Sequence, residues 1–81
     1  MHFTYILECV DNTLYIGSTN DLERRLHQHN HAKAGAHYTK IRRPVILKYS
    51  ESFKTLTEAL KREAQLKRMK REEKLKLIYK S

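Results

Sequence analysis

Eighty-one residues allow one small domain with a single core and leave no room for a separate substrate-binding domain. Seventeen Lys and Arg stand against nine Asp and Glu, and the net charge of +8 is uneven: residues 1–30 hold two basic and four acidic side chains, residues 31–81 fifteen and five, which points to a polyanionic partner such as nucleic acid. A single cysteine, Cys9, excludes an internal disulfide framework, and with no signal peptide and no apolar run of membrane-spanning length the expectation is a cytoplasmic protein without membrane contact.

Residues 3–9 (FTYILEC) and 13–17 (TLYIG) are β-branched, aromatic and aliphatic, with Asp11-Asn12 between them, which predicts a β-hairpin. Asn12 is the residue best able to take a left-handed backbone there. Loop length decides whether Tyr5 and Tyr15 can cooperate. A two-residue loop would place them on opposite faces. A three-residue loop, Val10-Asp11-Asn12, pairs Tyr5 with Gly17 and Leu7 with Tyr15, so that the tyrosines share a face; this register is the favoured one.

Gly17-Ser18-Thr19-Asn20-Asp21 reads as a turn and capping run, followed by a helix over residues 21–31. Residues 32–43 (AKAGAHYTKIRR) read as an exposed basic loop, Pro44 is expected to stop any helix, and residues 45–50 (VILKYS) read as the third strand. Thr55-Leu56-Thr57-Glu58 is a capping box, opening a helix that runs to about Met69. Lys70-Arg71-Glu72-Glu73 is a charged break, and a short helix covers residues 71–79. The prediction is one α+β domain over residues 1–81: a three-stranded antiparallel sheet flanked by helices, in the order ββαβαα.

Several polar residues stand where packing residues are expected. In the first helix Leu22 and Leu26 mark the inner stripe, and Arg25 and His29 flank it. A guanidinium held there can bind a phosphate bidentately and stabilise its added charge in a transition state, or it can lay its stem on the core and send its head to water. In the second helix Leu56, Ala59, Leu60, Leu66 and the stem of Lys67 are expected to be buried, and Glu63 falls on the same stripe. A carboxylate there needs a partner, either a cation such as Mg²⁺ or the guanidinium of Arg25. Tyr5 and Tyr15, each unremarkable alone in a sheet, gain interest beside Arg25, because positive neighbours lower a phenol's pKa. His27, His29 and His31 alternate and so do not converge as a metal set; His29, one turn after Arg25, is an active-site donor candidate. Lys33, Tyr38, Lys40, Arg42, Arg43, Lys61 and Lys67 form the expected nucleic-acid surface.

Taken in order, Phe3-Thr4-Tyr5, Tyr15-Ile16-Gly17, Arg25, His29 and Glu63 resemble the GIY-YIG nuclease family, over nearly the whole chain. The run Gly35-Ala36-His37-Tyr38-Thr39-Lys40 is similar to the loop of its small, single-domain bacterial branch, known as UPF0213. That branch in turn resembles the catalytic domain of a structure-specific endonuclease that cuts branched DNA. The resemblance implies hydrolysis of a phosphodiester bond in branched or otherwise irregular DNA with one divalent ion, Mg²⁺ or Mn²⁺. It implies Tyr5 as general base helped by Tyr15, Arg25 on the scissile phosphate, and Glu63 on the metal. Phe3-Thr4 replaces the Gly-Ile of the first triplet, and no Asn occurs after Asn30 to match the C-terminal asparagine of some members. The expected partners are DNA or RNA and a protein that supplies substrate choice to a monomeric domain. The competing readings are a catalytically silent nucleic-acid-binding module and a basic protein-interaction domain.

Overall fold

The computed structural model describes residues 1–31, 39 and 41–80 of the chain. Among them, three strands and three helices follow in the order ββαβαα: β1 (His2–Glu8), β2 (Leu14–Thr19), α1 (Leu22–His31), β3 (Ile46–Phe53), α2 (Leu56–Arg68) and α3 (Arg71–Lys80). The strands form one antiparallel sheet in the order β2-β1-β3, which puts β1 in the middle. No helix among the described residues is long and apolar enough to cross a membrane.

The hairpin adopts the register that its turn residues favour. Asn12 has φ 67°, its N–H donates to the Cys9 carbonyl at 2.9 Å, and the Cys9 N–H donates to the Thr13 carbonyl at 2.9 Å. Val10-Asp11-Asn12 is therefore the loop, and Tyr5 pairs with Gly17 and Leu7 with Tyr15. The period of two then sorts the side chains. Tyr5, Leu7, Cys9 and Val45 form one buried cluster, with Tyr15, Leu22, Leu26 and Leu47 packed against it. Ile6, Ile16, Leu66 and Ile78 form the other, flanked by Leu14, Tyr49, Met69, Leu75 and Leu77. A register shift opposite Ile6 and Leu7 lets β3 send Tyr49 to one face and Leu47 to the other. The sheet is thus the middle layer, with α1 on one side and α2 and α3 on the other.

Helix ends follow their caps. Asp21 Oδ1 accepts the Arg24 N–H at 3.1 Å at the start of α1. Thr55 caps α2, its hydroxyl accepting the Glu58 N–H at 3.2 Å and donating to Glu58 Oε1 at 3.0 Å. Met69, extended with φ −72° and ψ 147°, ends α2, and the Glu73 carboxylate accepts the Lys70 N–H at 3.1 Å before α3.

The rotation of α2 corrects the sequence expectation. Thr4 and Ser18 are cross-strand partners in β1 and β2. The Thr4 hydroxyl donates to the Ala59 carbonyl and the Ser18 hydroxyl to Glu63 Oε1, both at 2.6 Å. These two bonds hold one turn of α2 against the hairpin. Ala59 and Leu66 are fully buried as a result, whereas Leu56 and Leu60 are each 49% exposed rather than buried. An apolar residue i, i+4 pair marks a helix face; it does not decide which face is covered.

Candidate active site

The site grows from the β1–β2 pairing. Tyr5 is central in β1 and 2% exposed, and its ring lies over Gly17 of β2. A Cβ on Gly17 would lie 2.5 Å from Tyr5 Oη, 2.7 Å from Tyr5 Cζ and 3.3 Å from Tyr15 Cε1. Gly17, the one glycine among the described residues, does not have a positive φ, so it is required for space and not for backbone conformation.

From the facing helix, His29 projects between the tyrosines. Its ring meets Tyr15 edge-on with centroids 5.1 Å apart and Tyr5 at 5.9 Å. Its Nε2 lies 2.9 Å from Tyr5 Oη and its Nδ1 lies 2.7 Å from Thr39 Oγ1. His29 and Thr39 are both fully buried. Burial, with the nearby Arg25 and Arg43 charges, pushes the His29 imidazole down to about 4. The phenol of Tyr5 goes the opposite way from the sequence expectation. Burial pushes it up to about 12, outweighing the lowering by the adjacent Arg25 guanidinium; Tyr15 and Glu63 add smaller upward contributions. Both members of the Tyr5–His29 pair are therefore neutral at physiological pH.

Arg25 lines a small cleft with Tyr5, Leu7, Leu22, Leu26 and Leu47. Its guanidinium donates to Gln28 Oε1 at 3.0 Å and does not pair with Glu63. Glu63 comes from the other face of the sheet. Its Oε1 accepts the Ser18 hydroxyl, and its Oε2 is 2.7 Å from Lys67 Nζ. Burial pushes this carboxyl up, but the hydrogen bonds from Lys67 and Ser18 and the Lys67 charge more than offset it and hold the group below the usual carboxylate range. Tyr5, Tyr15, Arg25 and His29 thus lie on one side of the hairpin, and Glu63 is bonded to Ser18 on the other.

The donor set suits a hard cation. Glu63 offers one anionic carboxylate, its side chain 20% exposed, and Lys67, 57% exposed, is a flexible partner that a cation can displace. Among the described residues no three His, Cys, Asp or Glu gather as a metal cage. One carboxylate completed by water and a substrate phosphate is the pattern of Mg²⁺ or Mn²⁺, not of structural zinc. His27 and His31, four apart, do meet, with centroids 4.7 Å apart on the exposed side of α1, while His29 points to the core.

The expected nucleic-acid residues are spread out. Lys61 is exposed on α2, and Lys67 is tied to Glu63. Arg42 pairs with Asp11 at 3.0 Å. Arg43 donates from Nε to the His29 carbonyl and from Nη2 to the Gln28 carbonyl at 3.1 Å, so it clamps the end of α1. Lys33, Tyr38 and Lys40 lie outside the described residues. Two contributors carry no mark in the sequence: Thr39 lies within a basic run and Ser18 within a capping run. The Glu63–Lys67 pair was legible from its i, i+4 spacing.

Known proteins resemble this chain over nearly its whole length. The family model described as the GIY-YIG catalytic domain matches residues 1–76. A UPF0213 protein of Syntrophus aciditrophicus is 56% identical over 77 residues, covering 95% of this chain and 88% of its own. UPF0213 protein SSP2268 of Staphylococcus saprophyticus is 53% identical, covering 95% and 93%. Among solved structures, the solution NMR structure of UPF0213 protein BH0048 from Bacillus halodurans has a TM-score of 0.62 at 37% identity, covering 96% of this chain and 82% of that one. That of EF2693 from E. faecalis has a TM-score of 0.63 at 41% identity, covering 99% and 88%.

Proposed function

The chain belongs to the GIY-YIG family, a family of nuclease domains, and on that premise we propose that it is a metal-dependent endonuclease that hydrolyses a phosphodiester bond in branched or otherwise irregular DNA. The observation that carries the reading is the buried Tyr5–His29 pair beside Arg25, with a lone anionic carboxylate, Glu63, within electrostatic reach of the same phenol.

In this scheme Arg25 leaves Gln28 and grips the non-bridging oxygens of the scissile phosphate, where its charge stabilises the transition state. A water attacks phosphorus as the bond to the leaving oxygen breaks. Its proton passes to Tyr5 Oη while the phenol proton moves to His29 Nε2, so that Tyr5 never has to be a free phenolate. Tyr15, packed on the His29 ring, holds that imidazole in place. Glu63 is the residue that would hold Mg²⁺ or Mn²⁺, which when bound supplies Lewis-acid stabilisation of the leaving oxygen. The exposed Lys61, and Lys67 once released from Glu63, extend the phosphate contacts along α2. The domain works as a cytoplasmic monomer, with substrate choice lent by a protein partner.

A second reading has an observation of its own. Arg25, Glu63 and Lys67 are all internally bonded at rest, as suits a module that binds nucleic acid without cutting it. One experiment separates them: a panel of flap, fork, junction and duplex DNAs incubated with Mg²⁺ or Mn²⁺, with Glu63→Gln as control. Metal-dependent cleavage lost in the control supports the nuclease; binding without cleavage of any member supports the silent module.

A further inference from the structure

We propose that Thr39 is a positioning residue for the reaction. Its hydroxyl accepts the His29 Nδ1–H and so stabilises and orients the imidazole tautomer whose bare Nε2 can take the Tyr5 proton. This rests on the reading of Tyr5 as the acceptor of the water proton.

The tautomer follows from counting donors around a buried phenol. Tyr5 Oη stands beside the Arg25 guanidinium, which only donates. The proton of Tyr5 Oη therefore needs another acceptor, and His29 Nε2 lies 2.9 Å away. If Nε2 carried a proton instead, two donors would face the phenol oxygen and its own O–H would be left buried without an acceptor. With Nε2 bare, the single proton of the neutral imidazole is on Nδ1, and the atom 2.7 Å from Nδ1 is Thr39 Oγ1. A hydroxyl accepts this proton equally well before and after Nε2 is protonated, so the Thr39 contact persists through the transfer.

Thr39 is tied to the hairpin as well as to His29, and this gives the contact its orienting power. The Arg42 N–H donates to the Thr39 carbonyl at 3.0 Å, the Val10 N–H donates to the Arg42 carbonyl at 3.1 Å, and Arg42 Nε binds Asp11 at 3.0 Å. These bonds tie the Thr39 turn to the tip of the hairpin that carries Tyr5. From the other side, Arg43 grips the Gln28 and His29 carbonyls, and Asn30 exchanges two hydrogen bonds with the Val45 backbone, at 2.7 and 3.1 Å. The ring of His29 is thus held between two anchored points, Tyr5 and Thr39.

The test compares the full chain with Thr39→Val, which keeps the shape and loses the hydroxyl, and Thr39→Ser, which keeps the hydroxyl. Long-range ¹⁵N–¹H NMR of the DNA-free proteins reads the His29 tautomer directly. The wild type and Thr39→Ser should have His29 protonated on Nδ1, and Thr39→Val should shift population toward Nε2–H. In cleavage with Mg²⁺, Thr39→Val should lower kcat by about ten- to a hundredfold, within the range of general-base contributions, with DNA affinity unchanged and Thr39→Ser near wild type. A wild type protonated on Nε2 overturns the proposal, even if Thr39→Val fails to fold. So does a Thr39→Val variant that keeps its tautomer or its full kcat. If the tautomers behave as stated while the wild type cuts no DNA, Thr39 is upheld as the residue that stabilises the His29 tautomer and the nuclease reading is what falls.

Discussion

Gly17 and Tyr5 occupy each other's space: the hydrogen at the Gly17 α-carbon is replaced by no side chain because the Tyr5 phenol, 2.5 Å from where a Cβ would stand, lies there instead. The last residue of the Tyr15-Ile16-Gly17 triplet is therefore what permits Tyr5 to reach His29. Gly17→Ala should destabilise the fold by about 1–3 kcal/mol, the usual cost of overpacking, by moving the far end of the Tyr5 ring. Urea unfolding and the His29 ring resonances check both parts. A Gly17→Ala protein with wild-type stability and unshifted His29 signals would contradict this account.

Glu63→Gln should abolish metal-dependent cleavage while leaving DNA binding equal or tighter, because a negative charge near the phosphates is removed. Its amide oxygen can still accept the Ser18 hydroxyl, and only a partly exposed i, i+4 pair with Lys67 is lost, so stability should change by less than about 1 kcal/mol. Because Glu63 is bonded to Ser18 and Lys67 and not to Arg25, a Glu63→Gln/Arg25→Met double-mutant cycle should give a coupling in stability below about 0.5 kcal/mol. A large coupling would mean that the two side chains pair in solution.

Stability should fall as the pH drops from 6.5 toward 4. His29 has a folded-state value depressed to about 4, against 6.5 for the free side chain. The unfolded chain therefore binds the proton first. This contribution is complete above pH 6.5 and lost as pH falls through about 4, and at 1.36 kcal/mol per pKa unit it amounts to roughly 3 kcal/mol. The carboxylates whose values are lowered, Glu63 among them, lose their contribution only below about pH 4.5, so the windows are separable. Denaturant midpoints of wild type and His29→Gln across this range make the measurement. Parallel curves would show that His29 is not the group responsible.

The basic residues should divide by role. Lys61→Met should weaken DNA binding with no loss of stability, and the log–log salt slope should flatten by about 0.9 if the lysine meets a duplex phosphate. Arg43→Met should behave differently, costing about 1–3 kcal/mol of stability, since it leaves the Gln28 and His29 carbonyls at the end of α1 without their donor. Salt-dependent binding isotherms together with melts distinguish the two. Equal stability losses would remove the distinction.

Much of the fold was legible because it is set by near neighbours. The left-handed Asn12 and the three-residue loop follow from turn chemistry, and with a period of two they put Tyr5, Tyr15 and Gly17 on one face. Thr55 and Glu58 mark the start of α2, the Thr55 hydroxyl capping the Glu58 N–H and donating to its carboxylate, and Met69 to Glu73 mark its end. The order ββαβαα and the gathering of an arginine and a histidine on the inner side of α1 needed nothing beyond spacing. What only the tertiary structure decided are the contacts between distant segments. The leucine spacing in α2 is compatible with more than one rotation. The choice was made by two hydroxyls on another element, Thr4 and Ser18, which turned Leu56 and Leu60 outward and gave Glu63 a serine and a lysine in place of Arg25. Thr39 reaches His29 across ten residues of chain, and no local pattern marks a threonine as the partner of a buried imidazole. The direction of the Tyr5 titration was likewise beyond the sequence. Charge near a phenol can be read from spacing, but the desolvation that outweighs it depends on how completely α1 and the Thr39 turn close over the sheet.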